Sequence, residues 1–297
     1  MIDSFRPKAH TFPMRKRLAI FILLCTGALV GARSIDGPGQ VQEPRYGGVP
    51  LTTLLENAVA RGVPRQPTMG RHDGGWMPDP VAEDAVRNTG TNALPYLVSM
   101  VQDGSSDRSR LAMNAFRLLG PTATPAIAPL ERIAQGPYRD EVVSGAVTCL
   151  GNIGNNSLPA LSRLSTNDQT RLHAIASIIQ LGMKGAPIQS VVAAIIEPGD
   201  LGAQTAVMGL RNLPATNAIP ILTNVLTHPN PRMRETAAAA IGFGSVPEFR
   251  SAIPLLVACA QDPDAKVRRA ATDALRRLAP EMFVTNAPAS RRPSAEP

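Results

Sequence analysis

Aromatic residues make up only 4% of this 297-residue chain, with seven Phe, three Tyr and one Trp. A compact globule of this length fills its centre with such rings. Their scarcity excludes one thick core and favours thin layers of helices packed through Ala, Leu, Ile and Val. The length itself allows one large domain or two ordinary ones. Histidine is scarce as well, at four residues. His10 falls in the N-terminal segment, His173 stands beside an alanine of the repeat described below, His228 lies in a turn, and none is followed by Glu. His72-Asp73 in "GRHDGGWMPDP" is a lone pair of potential ligands in a loop, where zinc needs three or four.

An excess of one charge sign is missing from most of the chain. The net charge of +7 divides into +4 for residues 1–32, zero for 33–79, +2 for 80–285 and +1 for the tail, so the body is close to neutral. The N-terminal share belongs to "MRKRLAIFILLCTGALVGARS", which has a basic start at Arg15, Lys16 and Arg17, a 15-residue apolar run over 18–32, and small residues at Val30-Gly31-Ala32. Met14 fits as a start. A membrane span needs about 20 apolar residues, so the run reads as a cleaved export signal, with a retained anchor as the alternative. Bulky Leu24 before Cys25 argues against lipid attachment there. Export permits a disulfide between Cys149 and Cys259. Both occupy core slots three repeats apart, however, and are expected to be buried free thiols.

What the chain does have is a period of about 31 residues. Alanines recur at Ala82, Ala112, Ala146, Ala174, Ala206, Ala237 and Ala271, separated by 28 to 34 residues. Three positions later the residue is small: Ala85, Ala115, Cys149, Ser177, Gly209, Ala240, Ala274. The next is large and apolar: Val86, Phe116, Leu150, Ile178, Leu210, Ile241, Leu275. That spacing puts all three on one helical face, where small residues let a neighbouring helix approach closely. Gly90, Gly120, Gly154 and Gly182 share an offset suited to a left-handed helix end. Five residues after each stands Pro95, Pro125, Pro159 or Pro187, and Pro220 and Pro254 continue the series out of step; each is expected to open a second helix. That helix has a core slot five residues on, at Met100, Leu130, Leu164, Val192, Val225 and Cys259. Ser106, Asn230 and Asp264 are candidate caps of following first helices.

"MRETAAAAIGFG" (233–244), "VVSGAVTCLGNIG" (142–154) and "DPDAKVRRAATDALRRL" (262–278) resemble first helices of HEAT repeats, in particular the bacterial HEAT-like class that includes lyase-type arrays. The resemblance covers about 80–285. It implies an all-α fold, a right-handed α-solenoid of about seven HEAT-like hairpins, whose second helices line an inner surface that usually holds another macromolecule. Residues 33–79 read as a Pro/Gly-rich linker with a short capping helix at 50–62, where Leu51, Leu54, Leu55 and Val59 have helix spacing. The tail 286–297 lacks apolar residues except alanine and is expected to be disordered.

No catalytic motif emerges. The His-Glu pairs of HEAT-repeat hydroxylases are absent, Cys149 and Cys259 occupy packing slots, and no P-loop or GxGxxG follows a strand. No cofactor or metal is expected. HEAT-like glycosylases hold nucleic acid on basic, aromatic inner surfaces. Here, at three and four residues past each proline, only Arg163 is charged, which argues against a phosphate-tracking surface. Trp76 either anchors a partner or staples its loop over the first repeat. Arg232, Arg234, Lys266, Arg268 and Arg269 cluster at the starts of two successive first helices. They are either solvated and paired with Glu235, Asp262 and Asp264, or form a patch for an acidic partner or a membrane surface. The sequence reading is an exported, non-catalytic scaffold for another protein. The alternatives are a lyase-like enzyme or accessory subunit, and an envelope protein tethered through residues 18–32.

Overall fold

The computed structural model describes residues 41–61, 80–244 and 246–283, with the backbone alone described at 58–61, 81, 82 and 246. The run 18–32, the His72-Asp73 pair, Trp76 and the tail 286–297 lie outside the described residues.

A two-residue antiparallel hairpin comes first, Arg45–Tyr46 against Val49–Pro50. Its turn is Gly47-Gly48, with φ of +57° and +80°, the left-handed geometry that short hairpin turns require. Among the described residues every later element is a helix. Helix α1 (Leu51–Arg61) buries Leu51 and Leu55, and its Thr52 hydroxyl hydrogen-bonds the Tyr96 hydroxyl at 2.7 Å.

First helices α2 (Pro80–Thr89), α4 (Ser106–Leu119), α6 (Asp140–Ile153), α8 (Arg171–Met183), α10 (Leu201–Gly209), α12 (Pro231–Phe243) and α15 (Ala265–Leu278) pack side by side in chain order. Second helices α3 (Leu94–Gln102), α5 (Ile127–Ala134), α7 (Leu158–Leu164), α9 (Gln189–Ile196), α11 (Ala215–Val225) and α14 (Ile253–Cys259) form the other layer. A short helix, α13 (Val246–Phe249), leads into α14. Among the described residues the result is an α-solenoid of six helical pairs and a seventh first helix, α15, which leads into a 3-10 turn at Pro280–Phe283.

Periodic alanines build the stack. Ala112, Ala146, Ala174, Ala206, Ala237 and Ala271 are fully buried, and so are Val86, Phe116, Leu150, Ile178, Leu210 and Ile241 one turn on. The core slots of the second helices are buried in all six pairs. Two small residues across an interface set the approach of their helices: a Cβ at Gly242 of α12 would lie 2.7 Å from the Ala274 Cβ of α15. Cys149 and Cys259 are buried free thiols.

Several local expectations need correction. Gly90, Gly120 and Gly154 take positive φ at the ends of their helices, but Gly182 remains helical and Gly185, at φ +90°, makes the turn instead. Gly182 is small for packing reasons, because a Cβ there would meet the Ile188 Cδ1 at 2.4 Å. Prolines open second helices only at Pro95, Pro159 and Pro254. Pro125 sits in the preceding 3-10 turn, and Pro187 precedes the cap residue of α9. Pro220 lies inside α11, which starts five residues earlier; the turn that is 3-10 directly before α3, α5, α7 and α14 is here continuous with the α-helix. Ser105, not Ser106, is the N-cap residue of α4. Asn230 and Asp264 do cap α12 and α15, accepting the Arg232 and Lys266 amides at 3.0 and 2.8 Å. Asp200 does the same for α10 through the Ala203 amide at 2.9 Å.

Candidate functional site

Two surfaces follow from the two layers, and they differ in chemistry. On the second-helix face, neighbouring helices leave shallow grooves. Between α9 and α11 a cavity of about 330 Å³ has Ile196, Ile221 and Val225 as apolar lining, with Gln189, Asn224 and His228 among its polar groups. Between α3 and α5 two adjoining cavities of about 270 and 230 Å³ share Val98 and Pro129. There Gln102 donates to the Tyr138 hydroxyl at 2.6 Å, bridging helix α3 to the loop after α5. Each groove sets polar groups beside apolar ones and has one charged side chain in its lining, Glu197 between α9 and α11 and Arg132 between α3 and α5.

Arg163 is on this face and exposed, but it is matched. Its Nε and Nη2 donate to the two carboxylate oxygens of Glu131 on the preceding second helix, at 2.7 and 2.8 Å. Those bonds hold the guanidinium above its ordinary pKa. The pair links α7 to α5 and leaves no net charge.

The basic cluster on the first-helix face divides into two classes. Arg234 is internal: Nε and Nη2 make a bidentate bond to Asp262 at 2.8 and 2.9 Å, and Nη1 reaches the carbonyls of His228 and Pro229 at 2.8 and 3.1 Å. The Arg234 side chain is 14% exposed and that of Asp262 9%. The Arg234 hydrogen bonds hold the Asp262 carboxyl below the usual carboxylate range. Arg268 repeats half of this arrangement one unit later, with Nη1 on the carbonyls of Asp262 and Pro263 at 2.7 and 2.8 Å. Both arginines satisfy loop carbonyls, which is structural work.

Arg268 is nonetheless exposed, as are the other three, Arg232, Lys266 and Arg269. Lys266 and Arg269 line a trough of about 370 Å³ between α12 and α15 together with Phe243 and Arg277. Phe243 is 52% exposed, and the Arg277 guanidinium carbon stands 4.0 Å from its ring centroid, a close cation–π contact. Arg211 approaches the same ring at 5.9 Å. Sequence reasoning missed Phe243, Arg211 and Arg277. A signal was present: Phe243 follows core Ile241 by two residues, about 200° around a helix, so the two cannot share a face.

Among the described residues no group of three or more His, Cys, Asp and Glu stands close enough to hold a metal ion. Burial pushes the thiols of Cys149 and Cys259 up, which makes them poor nucleophiles. No described helix is long and apolar enough to cross a membrane.

The family model described as HEAT repeats matches residues 188–276, from just before α9 to near the end of α15. No curated protein matches the chain. Among solved structures it is similar to a designed armadillo repeat protein, YIII(Dq)4CqI, at 21% identity over 61% of this chain and 99% of the other, with a TM-score of 0.31. A second is a designed armadillo repeat protein in complex with the peptide (KR)4, at 19% identity, 61% and 99% coverage and a TM-score of 0.33. A third is human deoxyhypusine hydroxylase in complex with glycerol, at 19% identity, 77% and 95% coverage and a TM-score of 0.34. No functional reading follows from scores at that level.

Proposed function

We propose that this chain, whose residues 188–276 are HEAT repeats, is an exported, non-catalytic scaffold that holds another protein along its second-helix face. The observation that carries the reading is the pair of grooves in that layer, α3/α5 and α9/α11, whose linings mix apolar and polar side chains and carry one charged residue each, Arg132 and Glu197. A stack of helical pairs has no central cavity and so offers a partner an extended surface. The neutralised Arg163–Glu131 pair leaves that surface without a row of cations for phosphates.

Site-specific photocrosslinking tests the face. A photoreactive residue at Val98 or Asn224 should give one recurrent protein adduct, and the same residue at Thr148 or Thr205 on first helices should not. Equal adducts from both layers would refute the assignment. The exported location is supported by the basic start and the apolar run over 18–32. Mass spectrometry of the cell-envelope protein should find an N-terminus near Arg33; an intact run would instead place the scaffold on a membrane tether.

A further inference from the structure

The first-helix face of the last two repeats carries a second, chemically distinct surface. Its trough has a floor of small residues, including Ala239, Gly242 and Ala270, because α12 and α15 meet through a Gly–Ala contact. Its cations are Lys266, Arg269 and Arg277, its acids Glu235 and Asp273. Lys266 and Arg277 have no carboxylate partner among the described residues, whereas Asp273 is contacted by both Arg269 and Arg276, at 3.9 and 3.4 Å. Of the other carboxylates in the last two repeats, Asp262 holds Arg234, Asp264 caps α15 and Glu281 bonds Arg250, while Glu248 stands on α13 outside the trough lining. Residues 80–230 balance to zero charge, so the +2 of the solenoid comes from the last repeats.

We propose that this trough docks an acidic peptide segment of a partner protein, with carboxylates on Lys266, Arg269 and Arg277 and an apolar side chain seated on the methyl floor against Phe243. Arg277, already stacked on Phe243, is held in place without a carboxylate, so an incoming anion need not displace an existing ion pair. Two features favour a peptide over nucleic acid. Glu235 and Asp273 stand among the cations, so anions fit only at separate points opposite Lys266 and Arg277; the spaced carboxylates of a peptide can meet that pattern, its amides donating to the two acids, and an evenly charged phosphate backbone cannot. The methyl floor seats an aliphatic side chain and offers no second aromatic ring for base stacking. A membrane surface would need several protruding apolar side chains in one plane, and the trough lining itself supplies one, Phe243, with exposed Met282 and Phe283 outside that lining.

Fluorescence anisotropy with the full chain tests this. The probe is a labelled peptide of about twelve residues repeating Glu-Glu-Leu, compared with its Gln-Gln-Leu counterpart, a single-stranded oligonucleotide and vesicles containing phosphatidylglycerol. The acidic peptide should bind and the Gln version should not, and the affinity should fall by about tenfold or more between about 50 mM and about 300 mM salt. Arg277→Glu and Phe243→Ala should each weaken binding by about tenfold, while Arg110→Glu on α4 should leave it unchanged. Both trough positions are exposed, and a circular-dichroism melt identifies any variant that fails to fold; the other then decides. Peptide affinity unaffected by either folded variant, equal binding of the Gln peptide, or tighter binding of the oligonucleotide or vesicles overturns the proposal. None of these outcomes touches the second-helix grooves.

Discussion

Gly242→Ala puts the packing logic to its sharpest test, because the substitution adds one methyl group. The new Cβ would stand 2.7 Å from the Ala274 Cβ and 2.8 Å from the Ala274 Cα. Carbon atoms pack at about 3.5–4.0 Å, so the helices fall short of a comfortable contact by about 1 Å. No rotamer relieves this, since Ala274 has none and its Cα is backbone; α15 must move away from α12. Overpacking of this kind costs about 1–3 kcal/mol. Replacing glycine inside a helix returns about 0.8–1 kcal/mol. The net expectation is a loss of about 1 kcal/mol. Gly182→Ala supplies the contrast, because its new Cβ would meet side-chain carbons alone, Leu213 Cδ2 at 3.2 Å and Ile188 Cγ1 and Cδ1 at 3.0 and 2.4 Å, the nearest being the far end of the flexible Ile188 side chain. That chain can rotate, so the variant should stay within about 0.5 kcal/mol of the parent, the helix gain offsetting the repacking. Stacked repeats need not unfold in one step, so urea melts should be read beside amide exchange resolved to α15. Gly242→Ala should raise exchange throughout α15 and leave α4 and α6 unchanged. If Gly242→Ala matched the parent in both measurements, or were less harmful than Gly182→Ala, the close-approach account of these glycines would be wrong.

Ala146→Leu should wedge α6 from its neighbours, because Ala146 is wholly buried in the middle of the first-helix layer; the expected cost is about 1–3 kcal/mol, seen as a fall in Tm of about 2–4 °C per kcal/mol. Arg234→Met should cost about 1–3 kcal/mol in a urea melt, since it leaves Asp262 and two loop carbonyls without their donor. Asp262 gives a pH signature of defined sign. Its folded-state pKa is depressed by the Arg234 hydrogen bonds, so its contribution is present above the unfolded value of about 3.9 and is lost as pH falls through the lower folded value. The parent should therefore lose more stability than Asp262→Asn between about pH 5 and about pH 2, and parallel pH profiles would contradict this. Cys149, buried among apolar side chains with its thiol pKa pushed up, should react with a thiol reagent only at the rate of unfolding.

How much of this was legible in the sequence follows from how each feature is specified. Alanine slots could be read because one geometric demand, close contact between first helices, recurs in each unit and leaves the same residue type each time. Glycine has two physical uses, and spacing does not separate them. Gly154 is left-handed at φ +103°, whereas Gly182, at the same offset, is helical and small because Ile188 packs over it. Proline has a similar ambiguity. Its φ suits an α-helix at Pro220 and a 3-10 turn at Pro125 equally well, so the residue marks the region where a second helix begins without fixing its first turn. Caps were read to within one residue for the same reason, since Ser105 and Ser106 are both competent and backbone geometry chose between them.

Surface chemistry obeys a different rule, because a side chain's availability depends on partners remote in sequence. Arg234 and Arg268 are indistinguishable from Arg269 and Lys266 in a list of basic residues. Asp262, 28 positions beyond Arg234, removes Arg234 from the surface, and the loop carbonyls of 262 and 263 hold Arg268. Arg277 is separated from Phe243 by 34 positions, one repeat length, and only stacking of α12 on α15 brings the guanidinium to 4.0 Å from the ring. Repetition therefore writes the scaffold into the sequence many times over, and each candidate contact is written once, across a repeat boundary. A residue displaced by one repeat length, on the same turn of the neighbouring first helix, is the place to look for its partner. By that rule the Arg163–Glu131 pair, 32 positions apart on successive second helices, is legible from the sequence, and with it the removal of Arg163 as an unmatched cation on the face on which the scaffold reading rests.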